Sequence, residues 1–192
     1  LSSREQNPNG QGPSRADLAR AGFINTTRAQ RLLADPALTP LLEATPVGLL
    51  LADLADSPDP DQATLALVRL CEASPKPQQL AQDLKRSSHR RRLLALLGAS
   101  SALGDFLIAN PDSVACLDQE FDAEKVAATM TSRVKSALDA GSIPDAVHGL
   151  RLGYYQALCT IAAGDLTHPQ PLQYMPQVGL QLSQLADAAV AA

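Results

Sequence analysis

Three sets of residues in this chain carry groups able to do chemistry, and the setting of each argues against it. Asp59-Pro60-Asp61 places two carboxylates one residue apart, the spacing that on a strand holds two metal ions for nucleotidyl transfer. A proline between them and a helical pattern after them predict a helix start instead, with Asp59 as its cap. Gly141-Ser142, the kind of turn that precedes such a pair, lies far downstream with no paired carboxylate after it. His89, His148 and His168 are far apart, and none has a ligand partner three or four residues on, so no metal centre is expected. Cys71, Cys116 and Cys159 are odd in number and lack metal-ligand spacing; they read as small buried hydrophobes in a reducing compartment. Separation in sequence does not by itself rule out a Cys–His nucleophile, but nothing marks one of the thiols as activated. There is no glycine-rich phosphate loop. No catalytic, cofactor-binding or metal-binding residue is assigned.

The strongest charge feature is the run Lys85-Arg86-Ser87-Ser88-His89-Arg90-Arg91-Arg92. It reads as a solvated helix start, as an anion or acidic-partner contact through Arg90 and Arg91, or, with the corner that follows it, as a mimic of a DNA-reading helix-turn-helix. The last is disfavoured because no second basic surface accompanies it. Consecutive helical residues are spread by 100° each, so at most two of Arg90, Arg91 and Arg92 point the same way.

The elements that would position these groups are all helical. Hydrophobic residues make up 45% of the 192, aromatics 3%, and there is no Trp, so a core of Leu, Ala and Val is expected, which favours helix. The net charge of −4 argues against a nucleic-acid partner. The longest weakly charged run, Leu152 to Gly164, is 13 residues and too short to span a bilayer; a cytoplasmic protein is expected.

Residues 1–13 are polar and rich in Gly, Pro and Asn, and predict a disordered tail. Residues 14–192 predict one all-α domain, a multi-helix bundle of short proline-started helices followed by longer ones. Ser14 and Asp17 form a capping box for a helix closing on Gly22. Thr26 or Thr27 caps the next, and Thr39-Pro40, Thr45-Pro46 and Asp59-Pro60 start three more, near Leu41, over Val47 to Ala55 and from Pro60 to about Ala73. Another spans Gln78 to Arg86. The central pair, Ser88 to Pro111, predicts a buried first helix with Leu93, Leu94, Leu96 and Leu97, closed by Gly98 in a left-handed conformation. A second, capped by Ser100 or Ser101, carries Leu103, Phe106, Leu107 and Ile108. A long helix from Asp122 has Val126, Met130, Val134 and Leu138 as its stripe and sends Arg133 to water. The helix from Pro144 to Gly164 is apolar nearly all round and is placed at the bundle's middle. The last repeats apolar residues at Met175, Val178, Leu182, Leu185 and Ala189, a stripe unbroken to Ala192 that predicts continuation of the polypeptide.

Five stretches also carry a resemblance: Ala16–Asn25 with Arg28–Asp35, Ala66–Leu70, the more specific Leu-Leu-Ala-Leu-Leu-Gly-Ala-Ser-Ser-Ala-Leu-Gly-Asp-Phe-Leu of Leu93–Leu107, Leu150–Leu166, and Leu182–Ala188. In these the chain resembles the N-terminal helical part of the bifunctional glutamine synthetase adenylyltransferase/adenylyl-removing enzymes, actinobacterial type. The resemblance implies a parent enzyme that uses ATP and Mg²⁺ to attach AMP to a tyrosine of glutamine synthetase and orthophosphate to remove it, with a signalling protein as a further partner. It implies a following nucleotidyltransferase domain whose Gly-rich turn and Ser-Asp-x-Asp signature lie beyond these residues, so this part is scaffold, docking or regulatory. The chain departs from the family at Tyr155, Thr160 and Gly164, where arginines are usual. A free-standing helical protein–protein interaction module is the other reading.

Overall fold

A computed structural model describes residues 12–192; the tail expected over residues 1–13 falls almost wholly outside the described residues. The described chain is all-α, as its composition predicts. It contains α1 (Arg15–Arg20), α2 (Thr26–Leu33), α3 (Thr39–Ala44), α4 (Val47–Ala55), α5 (Pro60–Ala73), α6 (Pro77–Asp83), α7 (Ser87–Ala99), α8 (Ser101–Ala109), α9 (Ala123–Asp139), α10 (Ile143–Leu166) and α11 (Pro171–Ala191). Short 3₁₀ helices, Pro36–Leu38 and Pro111–Asp118, precede α3 and α9.

Side-chain capping fixes many of the starts. The Ser14–Asp17 box is formed, and Asp59, Ser100, Asp122 and Ser142 each accept a hydrogen bond from the backbone three residues on. Three expected caps are corrected. Asn25, not a threonine, caps α2 through Arg28 N at 3.0 Å. Thr39 does not cap, because the preceding 3₁₀ turn, capped by Asp35, already holds it in helical geometry. Thr45 leaves the position to Pro46 and buries its hydroxyl without a partner.

Gly98 is the larger correction. The left-handed glycines of the described residues are Gly22 and Gly141; Gly98 lies inside α7, buried. A Cβ there would stand 3.0 Å from the Asp59 carbonyl oxygen and 3.1 Å from the Asp59 nitrogen. Gly98 is therefore a close-approach residue that lets α7 cross the start of α5. The corner after α7 is made by Ser100, whose extended backbone ends one helix while its hydroxyl caps the next.

The core has two parts. The larger is built from α1–α8 and the 3₁₀ helices around Leu67, Leu70, Leu93, Leu94, Leu96 and Leu97, all fully buried. The smaller joins α9, α10 and α11 through Met130, Ala157, Ile161, Leu185 and Ala188. Helix α10 serves both: Cys159 and Ala163 enter the first, Ala157 and Ile161 the second. Its second half is central as expected, whereas its first half is not, with Ile143 69% and Val147 43% exposed. Phe106, expected in the core, is half-buried and stacks on Tyr155 with ring centroids 5.2 Å apart. On α11 the buried face is Gln181, Leu185 and Ala188, so Met175 and Leu182 of the expected stripe are exposed. Leu138, at the end of α9, is exposed as well.

Candidate functional site

The basic run opens α7, and the structure spends most of it internally. Arg90 is 4% exposed. Its Nε meets Asp53 of α4 and its Nη1 donates to the Leu84 carbonyl at 2.9 Å. Arg86 pairs with Asp118, and the buried His89 places Nδ1 2.8 Å from the same carboxylate. Arg92 donates to the Leu117 carbonyl at 2.8 Å. Arg91 alone of the three consecutive arginines is exposed, beside Asp53 and Asp56 at the rim of an open cleft. The expectation of Arg90 and Arg91 as a joint partner contact is thus corrected for Arg90: a guanidinium desolvated against Asp53 is not available to a second surface. The run ties α7 to α4 and to the 3₁₀ helix Pro111–Asp118.

Asp59 and Asp61 diverge. Asp59 caps α5 through Gln62 N at 2.9 Å, and Asp61 accepts from Ile24 N at 2.7 Å, tethering the loop before α2. No group of three metal-ligating side chains occurs among the described residues. His168 stacks on Tyr174 with centroids 4.1 Å apart, and His148 is exposed.

Sequence spacing gave no sign that Cys116 and Cys159 meet. Their thiols are hydrogen-bonded to each other, which with burial pushes Cys159 up and holds Cys116 below the ordinary thiol range. Burial pushes Cys71 up to about 12. Among the described residues no disulfide is formed.

Sequence reasoning also missed a cavity of about 290 Å³ between the 3₁₀ helix, α9 and α10. Arg133, expected in water, is half-buried at its wall and donates to Gln156 Oε1 at 3.0 Å; Gln156 Nε2 donates in turn to Ser113 Oγ at 3.0 Å. Thr160 donates to the Cys116 carbonyl at 3.0 Å. The helices approach closely here because Gly153 has no side chain: a Cβ would fall 2.6 Å from Met130 Cγ. The signal available in sequence was the spacing of Gly153, Gln156 and Thr160, which share one side of α10. Two of the departures from the family resemblance are accounted for locally, Tyr155 by its stack on Phe106 and Thr160 by its bond to Cys116; Gly164 faces the Tyr174 hydroxyl.

No single helix among the described residues is long and apolar enough to cross a membrane. No protein-family profile matches the chain, and no solved structure does. Curated relatives do. The chain is 37% identical over 194 residues to the bifunctional glutamine synthetase adenylyltransferase/adenylyl-removing enzyme of Mycobacterium avium, covering 96% of this chain and 19% of the relative. The enzymes of that name from Bifidobacterium longum subsp. infantis and Leifsonia xyli subsp. xyli are 31% and 32% identical over 93% and 90% of the chain. The chain spans just under a fifth of the length of these relatives. By similarity along nearly its whole length, then, the chain matches one segment of the bifunctional glutamine synthetase adenylyltransferase/adenylyl-removing enzyme family.

Proposed function

We propose that this chain is the N-terminal helical region of a cytoplasmic enzyme that adenylylates and deadenylylates glutamine synthetase, and that within it these residues act as scaffold or docking surface without supplying catalytic groups. The observation that carries the reading is the 37% identity over 96% of the chain to an enzyme of that name. The internal use of Asp59, Asp61 and the arginines of α7 agrees with it, because groups committed to caps and ion pairs have no capacity left for a phosphoryl group. ATP and Mg²⁺, glutamine synthetase and a signalling protein belong to the parent enzyme on this reading.

The test is the reading frame past Ala192. A Gly-rich turn followed by Ser-Asp-x-Asp supports the proposal, and a stop codon overturns it. Calorimetric titration of the 192-residue chain with ATP and Mg²⁺ is expected to show no micromolar binding; tight binding would remove the scaffold role. The second reading, a free-standing helical interaction module, is favoured by the exposed Leu172, Met175, Leu182 and Val190 of α11.

A further inference from the structure

We propose that the cavity at Arg133 binds a small oxyanion, a metabolite presenting a carboxylate or phosphate group. The argument is one of unspent donors. Arg133 gives one hydrogen bond, to the neutral oxygen of Gln156, and among the described residues no carboxylate lies within ion-pairing reach of its guanidinium. A guanidinium carries five N–H donors in a planar fork matched to two oxygens, so most of its capacity remains. The bond from Gln156 Nε2 to Ser113 Oγ uses that hydroxyl as acceptor, which leaves the Ser113 proton to be given away. Ser113 is 4% exposed and lines the cavity, and the second amide proton of Gln156 is likewise uncommitted. A connected chain of three side chains from three elements thus ends in donors only, and only a ligand rich in acceptors completes it.

The carboxylates nearby do not fill that role. Asp112 lies toward Lys76 at 3.8 Å, Asp122 caps α9 through Lys125 N, and Glu120 is exposed. Lys125, which also lines the cavity, adds positive charge. The volume, about 290 Å³, is at the small end of ligand sites and suits a compact anion, not a nucleotide.

The test is ¹⁵N–¹H correlation spectroscopy of the 192-residue chain titrated separately with inorganic phosphate and with malonate, with sodium chloride as the control for ionic strength. Saturable shifts at Ser113, Gln156 and Thr160 in the millimolar range or tighter are expected with one probe or both, and the responding probe identifies the group. Arg133→Gln should weaken that binding at least about tenfold, Ser113→Ala less, and Arg133→Lys should retain part of it. If Arg133→Gln does not fold, Ser113→Ala and Arg133→Lys decide the matter. Absence of saturable shifts with both probes, shifts reproduced by chloride, or equal binding in the folded variants overturns the proposal. None of these outcomes depends on the reading frame past Ala192, so the site and the parent enzyme stand or fall separately.

Discussion

Arg90 on α7 and Asp53 on α4 form a buried pair, Nε to Oδ2 at 2.5 Å, with the same guanidinium also bonded to the Leu84 carbonyl. One arginine therefore closes the junction of α4, α7 and the loop after α6. Breaking a buried pair leaves the surviving charge desolvated, which costs more than the pair contributes. Arg90→Gln should destabilise by about 3–5 kcal/mol, whereas Arg91→Glu should stay within about 0.5 kcal/mol of the parent. Urea denaturation of both variants checks this, and equal midpoints would refute the assignment. A charge reversal meant to probe a partner belongs at Arg91.

Gly98 and Gly48 offer a matched pair of alanine substitutions. At Gly98 the new methyl meets Asp59 backbone at 3.0 Å, while at Gly48 in α4 it meets nothing within 4 Å. Overpacking costs roughly 1–3 kcal/mol, against a gain of about 1 kcal/mol in helix propensity. Because the obstacle is backbone, Gly98→Ala should lower the urea midpoint. Gly48→Ala should raise it by the equivalent of about 0.5–1 kcal/mol.

Leu97 is fully buried, and Leu97→Ala should cost about 2–5 kcal/mol. Phe106 keeps one face exposed and stacks on Tyr155. Phe106→Ala should fall below the roughly 3–5 kcal/mol of a fully packed phenylalanine. Denaturant midpoints with unchanged slopes give the comparison.

The Cys71 thiol gives a pH window. Its pKa is raised in the folded state from 9.0 to about 12, burial being the main cause and Glu72 the lesser. The unfolded chain then binds fewer protons than the folded one between those values. The contribution is whole below pH 9.0 and lost as pH rises toward about 12. In that range Cys71→Ala should lose less stability with pH than the parent. Parallel slopes of midpoint against pH would contradict the assignment.

Much of the fold was legible because local rules and packing agree. The Ser14–Asp17 box, the Asp59 cap before Pro60 and the Gly141-Ser142 break act within four residues, and the structure keeps all three. Gly98 misled because glycine has two uses, and its partner, the Asp59 backbone, is distant in sequence. The basic run misled for the same reason: Asp53 and Asp118, which absorb its charges, lie outside the stretch. The cavity required Ser113, Arg133 and Gln156 to converge from three elements, and periodicity registers only which side of its own helix each occupies.

Helix α10 lends Cys159 and Ala163 to one core and Ala157 and Ile161 to the other. Peeling away α9 and α11 would wet the helix that also roofs α7, and loss of the α1–α8 layer would wet it from the opposite side. The two cores consequently share a keystone and should melt as one cooperative unit. The amides of the second half of α10 should be among the slowest to exchange with solvent, opening only when the whole chain does.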